Sequence, residues 1–249
     1  MSTPITNLVP ATELTAAYQA AAQRHAQRLQ EGANVVGHKV GYTNMKAWND
    51  LGITAPMWGP MYDDTVIDAG SGTFRWDLGA LHGPRIEPEI VLGLERAPQP
   101  GMDMQALLAC VGWIAQGFEL VVSPRDGKPG SVAGTIANGG NHGVLLIGKR
   151  RPVSVLGDDA IATLGALHVE LRCDGELKDT GSSANVLEHP LNAVSRLMEG
   201  LAREGRDPLR AGDIVSTGTM TAAFPAAPGQ RWTTRLSGAA LPDLDVVFD

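Results

Sequence analysis

Arg85-Ile86-Glu87-Pro88-Glu89-Ile90-Val91-Leu92 sets two carboxylates two residues apart inside an otherwise apolar run. On a strand, residues i and i+2 share a face. Glu87 and Glu89 are therefore expected to sit together, with Ile86, Ile90 and Leu92 turned the other way. Like charges that close repel unless a proton is shared or a cation lies between them. A third acid, Glu119, recurs in the short apolar run Gly117-Phe118-Glu119-Leu120-Val121. Three carboxylates from two strands would make a hard, all-oxygen site suited to Mg²⁺ or Mn²⁺, with positions left for water and substrate. Taken alone, a Glu-x-Glu pair also fits the solvated face of a half-exposed strand.

Around this stretch the chain reads as one helix followed mostly by strands. Leu14, Tyr18, Ala21, His25 and Leu29 recur at helical steps between Pro10 and Gly32, which predicts an amphipathic helix with His25 as a packed residue. Val35 to Tyr42 reads as a strand that carries Lys39 close to a turn, with His38 on the opposite face, and Thr43 is placed to cap a short helix running toward Gly52. Met102 to Ile114 is helical in pattern, and Phe118–Val122 and Val144–Ile147 look like strands. Leu167 to Cys173, then Asp174-Gly175, then Glu176-Leu177-Lys178 is a hairpin signature. Pro190 suits a first helical turn, and the apolar spacing continues that helix to Gly205. Strands at Asp213–Thr217, Arg231–Leu236 and Val246–Phe248 close the chain. With 30 Gly and 16 Pro supplying tight turns, and no internal repeat, the expectation is a single α+β domain over 1–249. Residues 1–34 form its N-terminal helical layer and 35–249 its β-rich core.

A chain of 249 residues can bury a sizeable core. Its net charge of -7 and pI near 5.3, with no basic block, argue against nucleic acid or an anionic membrane as partner and favour a small molecule. Cys110 and Cys173 are too few for a disulfide framework and are expected to be reduced residues of a cytoplasmic protein. Met1-Ser2-Thr3-Pro4 lacks the basic and apolar regions of a targeting segment, and no window reaches the length of a membrane span, so a soluble chain is expected.

Five segments occur in order: Gly37-His38-Lys39-Val40-Gly41-Tyr42-Thr43, Gly59-Pro60-Met61-Tyr62-Asp63-Asp64, Arg85 to Glu89, Gly117-Phe118-Glu119, and Ser216-Thr217-Gly218-Thr219. Together they resemble the 2-hydroxypenta-2,4-dienoate (2-keto-4-pentenoate) hydratase and 4-oxalocrotonate decarboxylase branch of the fumarylacetoacetate hydrolase superfamily. The resemblance runs from about Val35 to the C-terminus. It implies a mixed β-roll, Mg²⁺ or Mn²⁺ on Glu87, Glu89 and Glu119, and a 2-oxo acid or its dienol chelating that ion through its carboxylate and C2 oxygen.

Hydration of a dienol acid and decarboxylation of a vinylogous 2-oxo acid both gather negative charge on the C2 oxygen, which a divalent cation stabilises as a Lewis acid. Lys39, flanked by glycines, is the candidate to support that oxyanion or the carboxylate, with a surface lysine as the alternative. Asp64 matches the second acid of the family's acidic loop and is the candidate for proton transfer to or from carbon. The chain departs from the branch at Ile136-Ala137-Asn138-Gly139-Gly140-Asn141-His142-Gly143, where an Asp becomes Asn138 and two hydroxyl residues become Asn141 and His142. The usual Asp-Ser-Arg after the third glutamate is replaced by Val122-Ser123-Pro124-Arg125. These changes point to an altered substrate pocket, with His142 either a donor to a substrate carboxylate or a turn residue on the rim. Ser183 and Thr217 are further candidates for hydrogen bonding a carboxylate, against the commoner reading that they satisfy local backbone.

The expected activity is that of a hydro-lyase adding water to a 2-hydroxy-2,4-dienoate to give a 4-hydroxy-2-oxo acid, as in meta-cleavage degradation of aromatic compounds. The alternatives are a decarboxylase of a 4-oxalocrotonate-like acid, a C–C bond hydrolase with a His-Glu pair near His25 and Glu31, and a non-catalytic partner subunit. A homo-oligomer is expected, with a decarboxylase or hydratase relative as a further candidate partner.

Overall fold

A computed structural model of the chain describes residues 7–79, 81–123 and 130–249. The Met1-Ser2-Thr3-Pro4 start and Pro124-Arg125 lie outside these. Helix α1 (Ala11–Gln30) starts after Pro10, carries Glu13 in its first turn and Arg28 in its last, and buries Ala17 and Tyr18. Strand β1 (Val35–Gly41) leads to a 3₁₀ turn at Met45–Ala47 capped by the Asn44 side chain, which accepts from Lys46 N–H at 3.1 Å, and then to α2 (Trp48–Leu51). The cap is thus Asn44 and not Thr43. Strands β2 (Met57–Tyr62), β3 (Val66–Gly70), β4 (Thr73–Trp76) and β5 (Arg85–Leu94) follow.

The helical pattern over Met102–Ile114 resolves into a short α3 (Met104–Leu108), capped by Asp103, and the long strand β6 (Val111–Val121). The remaining elements are α4 (Val132–Ala137), β7 (His142–Gly148), β8 (Arg151–Pro152), α5 (Ala160–Gly165), β9 (His168–Cys173), β10 (Glu176–Ser182), α6 (Pro190–Arg203), β11 (Ile214–Thr219), β12 (Phe224–Pro225), β13 (Arg231–Ser237) and β14 (Asp245–Phe248). The β9–β10 hairpin turns at Asp174 (φ 51°) and Gly175 (φ 83°), the two left-handed residues that a type I′ turn requires. Pro190 opens α6, whose first turn is capped by His189 Nδ1 accepting from Leu191 N–H at 3.1 Å.

The strands form two curled sheets. The larger runs β2-β1-β11-β5-β6-β7-β3, parallel at β1–β11 and β7–β3 and antiparallel elsewhere, with β12 beside β5 and β8 beside β6. The smaller runs β10-β9-β13-β14-β4. This is a mixed α+β roll. Its apolar interior divides along one face of the larger sheet: at one end Ile90, Leu92 and Ile114 pack with residues of α1 and α6 such as Ala17, Leu197 and Leu201. At the other end Ile86, Phe118 and Leu146 pack against Leu171, Trp232 and Phe248 of the smaller sheet. A third, small cluster of Met61, Val91, Ala115, Leu145 and Ile147 lies on the opposite side of the larger sheet. Val91 shares the parity of Glu87 and Glu89, so the two carboxylates extend from that small cluster. Among the described residues, no helix is long and apolar enough to cross a membrane.

Candidate metal centre and active site

The register of β5 against β6 sets Glu87 directly opposite Glu119 and Glu89 opposite Gly117. Each of the three glutamates offers an oxygen within 4.8 Å of the others. Glu89 and Glu119 are buried, and Glu87 is half-buried. Strand β11 lies between β1 and β5, so Lys39, Ser216 and Val91 stand in one row across three strands, with Glu89 two residues farther along the same face.

Lys39 is 2 % exposed, and its Nζ lies 2.8 Å from Glu119 Oε2 and donates to Gly140 O at 3.2 Å. Burial opposes its charge, but Glu119, Glu87 and Glu89 outweigh that effect and hold the ammonium's pKa above its ordinary value. Gly140 sits at φ +75°, and a Cβ there would lie 2.9 Å from Lys39 Cδ, so a glycine is needed for the backbone to come this close.

Glu119 is gripped at both oxygens: Oε1 accepts from His142 Nδ1 at 2.9 Å, and Oε2 faces Lys39. Although burial opposes ionisation, the Lys39 charge and the His142 hydrogen bond hold Glu119 down at about 2. The imidazole is oriented from its far side by Thr65 Oγ1, 3.0 Å from Nε2. With Glu119 ionised, Nδ1 is the donor, which leaves Nε2 facing the Thr65 hydroxyl.

Glu89 Oε2 accepts from Ser216 Oγ at 2.5 Å and from Gly218 N–H at 2.9 Å, while Oε1 is buried with no hydrogen-bond partner among the described residues. A bulge in β11 between Ser216 and Thr219 turns the Gly218 amide out of the ladder onto that carboxylate. Gly218 has φ +111°, and a Cβ would lie 2.3 Å from Thr43 Oγ1. Burial raises Glu89 well above the ordinary carboxylate range, with the Glu119 charge adding to it. Burial likewise pushes Glu87 up to about 7, against the pull of Lys39. Three carboxylates with one ammonium, one of them holding a buried oxygen without a partner, form a hard-oxygen cradle short of positive charge.

Residues 16–245 match the family profile described as Fumarylacetoacetate (FAA) hydrolase C-terminal. The chain belongs to the fumarylacetoacetate hydrolase family. Within the family it is 29 % identical to the 2-hydroxyhexa-2,4-dienoate hydratase of Comamonas testosteroni, covering 94 % of this chain and 87 % of that one. It is 28 % identical to a 4-oxalocrotonate decarboxylase of Pseudomonas putida, over 94 % of this chain and 86 % of that one. Among solved structures, the 4-oxalocrotonate decarboxylase from Pseudomonas putida G7, complexed with magnesium and adipate, superimposes with a TM-score of 0.84. That match has 26 % identity and covers 95 % of this chain and 86 % of that one.

The other sequence candidates fall in different places. Asp64, in the turn between β2 and β3, is 56 % exposed, and both of its oxygens accept from Arg28 Nη2 on α1, at 2.7 and 2.6 Å. It is not brought to the buried glutamates; the residue of that turn tied to them is Thr65, through His142. Asn141 takes a left-handed backbone (φ 56°), and its Oδ1 accepts from Asn138 Nδ2 at 2.8 Å. Ser183 Oγ is buried and accepts from Leu167 N–H at 3.0 Å, and Thr217 Oγ1 donates to Ile90 O at 2.8 Å, so both satisfy local backbone. Ser216, next to Thr217 in the chain, is the hydroxyl that reaches a glutamate. Orienting groups of this kind tune metal affinity by roughly 10- to 100-fold. Ser216→Ala is accordingly expected to weaken Mn²⁺ binding by that factor in a calorimetric titration without loss of fold. Unchanged affinity would show that Glu89 needs no such support.

Proposed function

We propose that this protein is a divalent-metal-dependent hydro-lyase that adds water to a 2-hydroxy-2,4-dienoate and releases a 4-hydroxy-2-oxo acid. The observation that carries the reading is the trio Glu87, Glu89 and Glu119, two of them buried, with Lys39 against it. The residues fit Mg²⁺ or Mn²⁺: their donors are hard oxygens, and Glu89 Oε1 has no hydrogen-bond partner among the described residues. When bound, the ion supplies Lewis-acid stabilisation of negative charge on the substrate's C2 oxygen.

The protein's own groups do the rest. Lys39, kept charged by the glutamates, adds a fixed positive charge in a site removed from water, where such a charge acts most strongly on an anionic acid. Ser216 and the Gly218 amide fix the Glu89 carboxylate, and His142 with Thr65 fixes Glu119, so the donors are held in place before substrate arrives.

For Asp64, the contact with Arg28 supports a part in docking α1 onto the β2–β3 turn. Asp64→Asn is expected to leave turnover within about twofold, since exposed ion pairs contribute little. A loss of roughly 10²-fold or more would assign the carbon-directed proton transfer to Asp64.

Decarboxylation of a 4-oxalocrotonate-like 2-oxo acid is the second reading, favoured by the match to the decarboxylase complexed with magnesium and adipate. C–C hydrolysis through an N-terminal His-Glu pair is not supported: His25 Nδ1 is engaged by Tyr62 Oη at 2.9 Å, and Glu31 by Gln27 and Arg28. As part of the same proposal the protein is a cytoplasmic homo-oligomer serving the breakdown of aromatic compounds, and sedimentation would read its assembly. Incubation with Mg²⁺ and short dienol acids, with products identified by mass, tests the reaction. Gain of one water supports the hydratase, and loss of carbon dioxide from the oxo acid supports the alternative.

A further inference from the structure

Across β1 from Lys39, a cavity of about 540 Å³ opens between α1, the paired strands β1 and β2, and the loop after α6. None of its lining residues belongs to the metal centre described above. Its volume falls within the roughly 300–1,000 Å³ of small-molecule sites. Tyr18 and Trp58 form an aromatic wall, stacked with ring centroids 5.2 Å apart, and His38 meets Trp58 edge-on at 6.0 Å. His38 Nδ1 is buried with no hydrogen-bond partner among the described residues. An unpaired buried polar atom of that kind is a standing cost that a ligand group relieves. Burial drives the His38 pKa down to about 4, so at neutral pH the ring offers one donor and one acceptor.

Two arginines and two aspartates line the cavity, and their side chains pair only in part. Arg210 binds Asp207 at 2.6 Å, and Asp213 accepts the Arg210 backbone N–H at 2.8 Å. His25 is occupied by Tyr62. Arg206 is half-buried, makes no ion pair among the described residues, and lies near enough to His25 to help, after burial, to lower its pKa. A guanidinium with no ion pair among the described residues, lining the same cavity as the aromatic wall and the unsatisfied imidazole, defines the chemistry of the occupant.

We propose that this cavity binds a small flat carboxylic acid, its conjugated body along the Tyr18–Trp58 wall and its carboxylate on Arg206. A carbonyl or hydroxyl on that body is positioned to pair with His38.

The probe is 2-naphthoate, with naphthalene-2-carboxamide as its uncharged twin, titrated calorimetrically into the Mg²⁺-loaded protein. Because a carboxylate can also bind at the metal centre, the titration is repeated with Glu89→Gln. The expected result is single-site binding in both proteins, weakened about tenfold or more by Arg206→Gln, by Ala22→Leu, which fills the cavity from α1, and by the carboxamide. An indole ¹⁵N resonance absent from Trp58→Phe should shift on saturation. Absence of binding at millimolar probe, retention of affinity in Arg206→Gln, or its loss in Glu89→Gln would overturn the proposal. So would dissociation of an oligomer by Ala22→Leu in sedimentation, which would make a second copy the occupant of this surface.

Discussion

Glu89→Gln is expected to abolish Mn²⁺ binding in calorimetry while raising the melting temperature of the metal-free protein. The substitution removes one of three carboxylates whose oxygens lie within 4.8 Å. Charges at that separation repel by about 3 kcal/mol at the effective dielectric of protein sites. That figure is an upper bound on the gain, since burial raises the pKa of Glu87 and Glu89 and so favours protonation that relieves part of the repulsion. A Gln carbonyl can still accept from Ser216 and Gly218. Glu119→Gln removes a ligand as well, yet its apo form should melt lower, because it strands the buried Lys39 ammonium. Opposite signs of the two shifts, with metal binding lost in both, are the expected pattern. Wild-type Mn²⁺ affinity in the Glu87, Glu89 and Glu119 Gln variants alike would move the metal elsewhere.

Lys39→Met carries the second large effect. Breaking a buried pair by removing one partner costs about 3–5 kcal/mol, and here it leaves Glu119 without its cation. Mg²⁺ should restore part of the lost stability by taking over the charge balance. Turnover should still fall by roughly 10²- to 10⁴-fold with metal bound. Steady-state rates at saturating Mg²⁺, set beside melting curves with and without the ion, separate the two roles. Near-normal rates would reduce Lys39 to scaffold.

The period of a strand made much of this site legible in the sequence. Glu87 and Glu89 two apart, and Lys39 back to back with His38, need only alternation to be placed, and their faces are as expected. What alternation cannot give is the partner. Ser216 and Thr217 are equally good candidates until β11 is paired with Lys39 on one side and Val91 on the other, and the bulge after Ser216 has no local signal. The helical pattern over Met102–Ile114 fails for a related reason: short apolar runs fit a buried strand as well as a helix. The ladder from Val111 onward is imposed by β5. Asp64 has its partner on α1, 36 residues away. The sequence leaves His142 as either a donor to a substrate carboxylate or a turn residue on the rim; the β6–β7 pairing turns it onto Glu119, so its departure from the family pattern alters the support of a carboxylate.

The most direct measurement is diffraction from crystals grown with Mn²⁺, recorded at the manganese absorption edge. One strong anomalous peak bounded by Glu87, Glu89 and Glu119 is expected, and it should disappear in Glu89→Gln. A peak at any other group of side chains, or none among these three carboxylates at saturating Mn²⁺, would contradict the assignment of the metal to this trio.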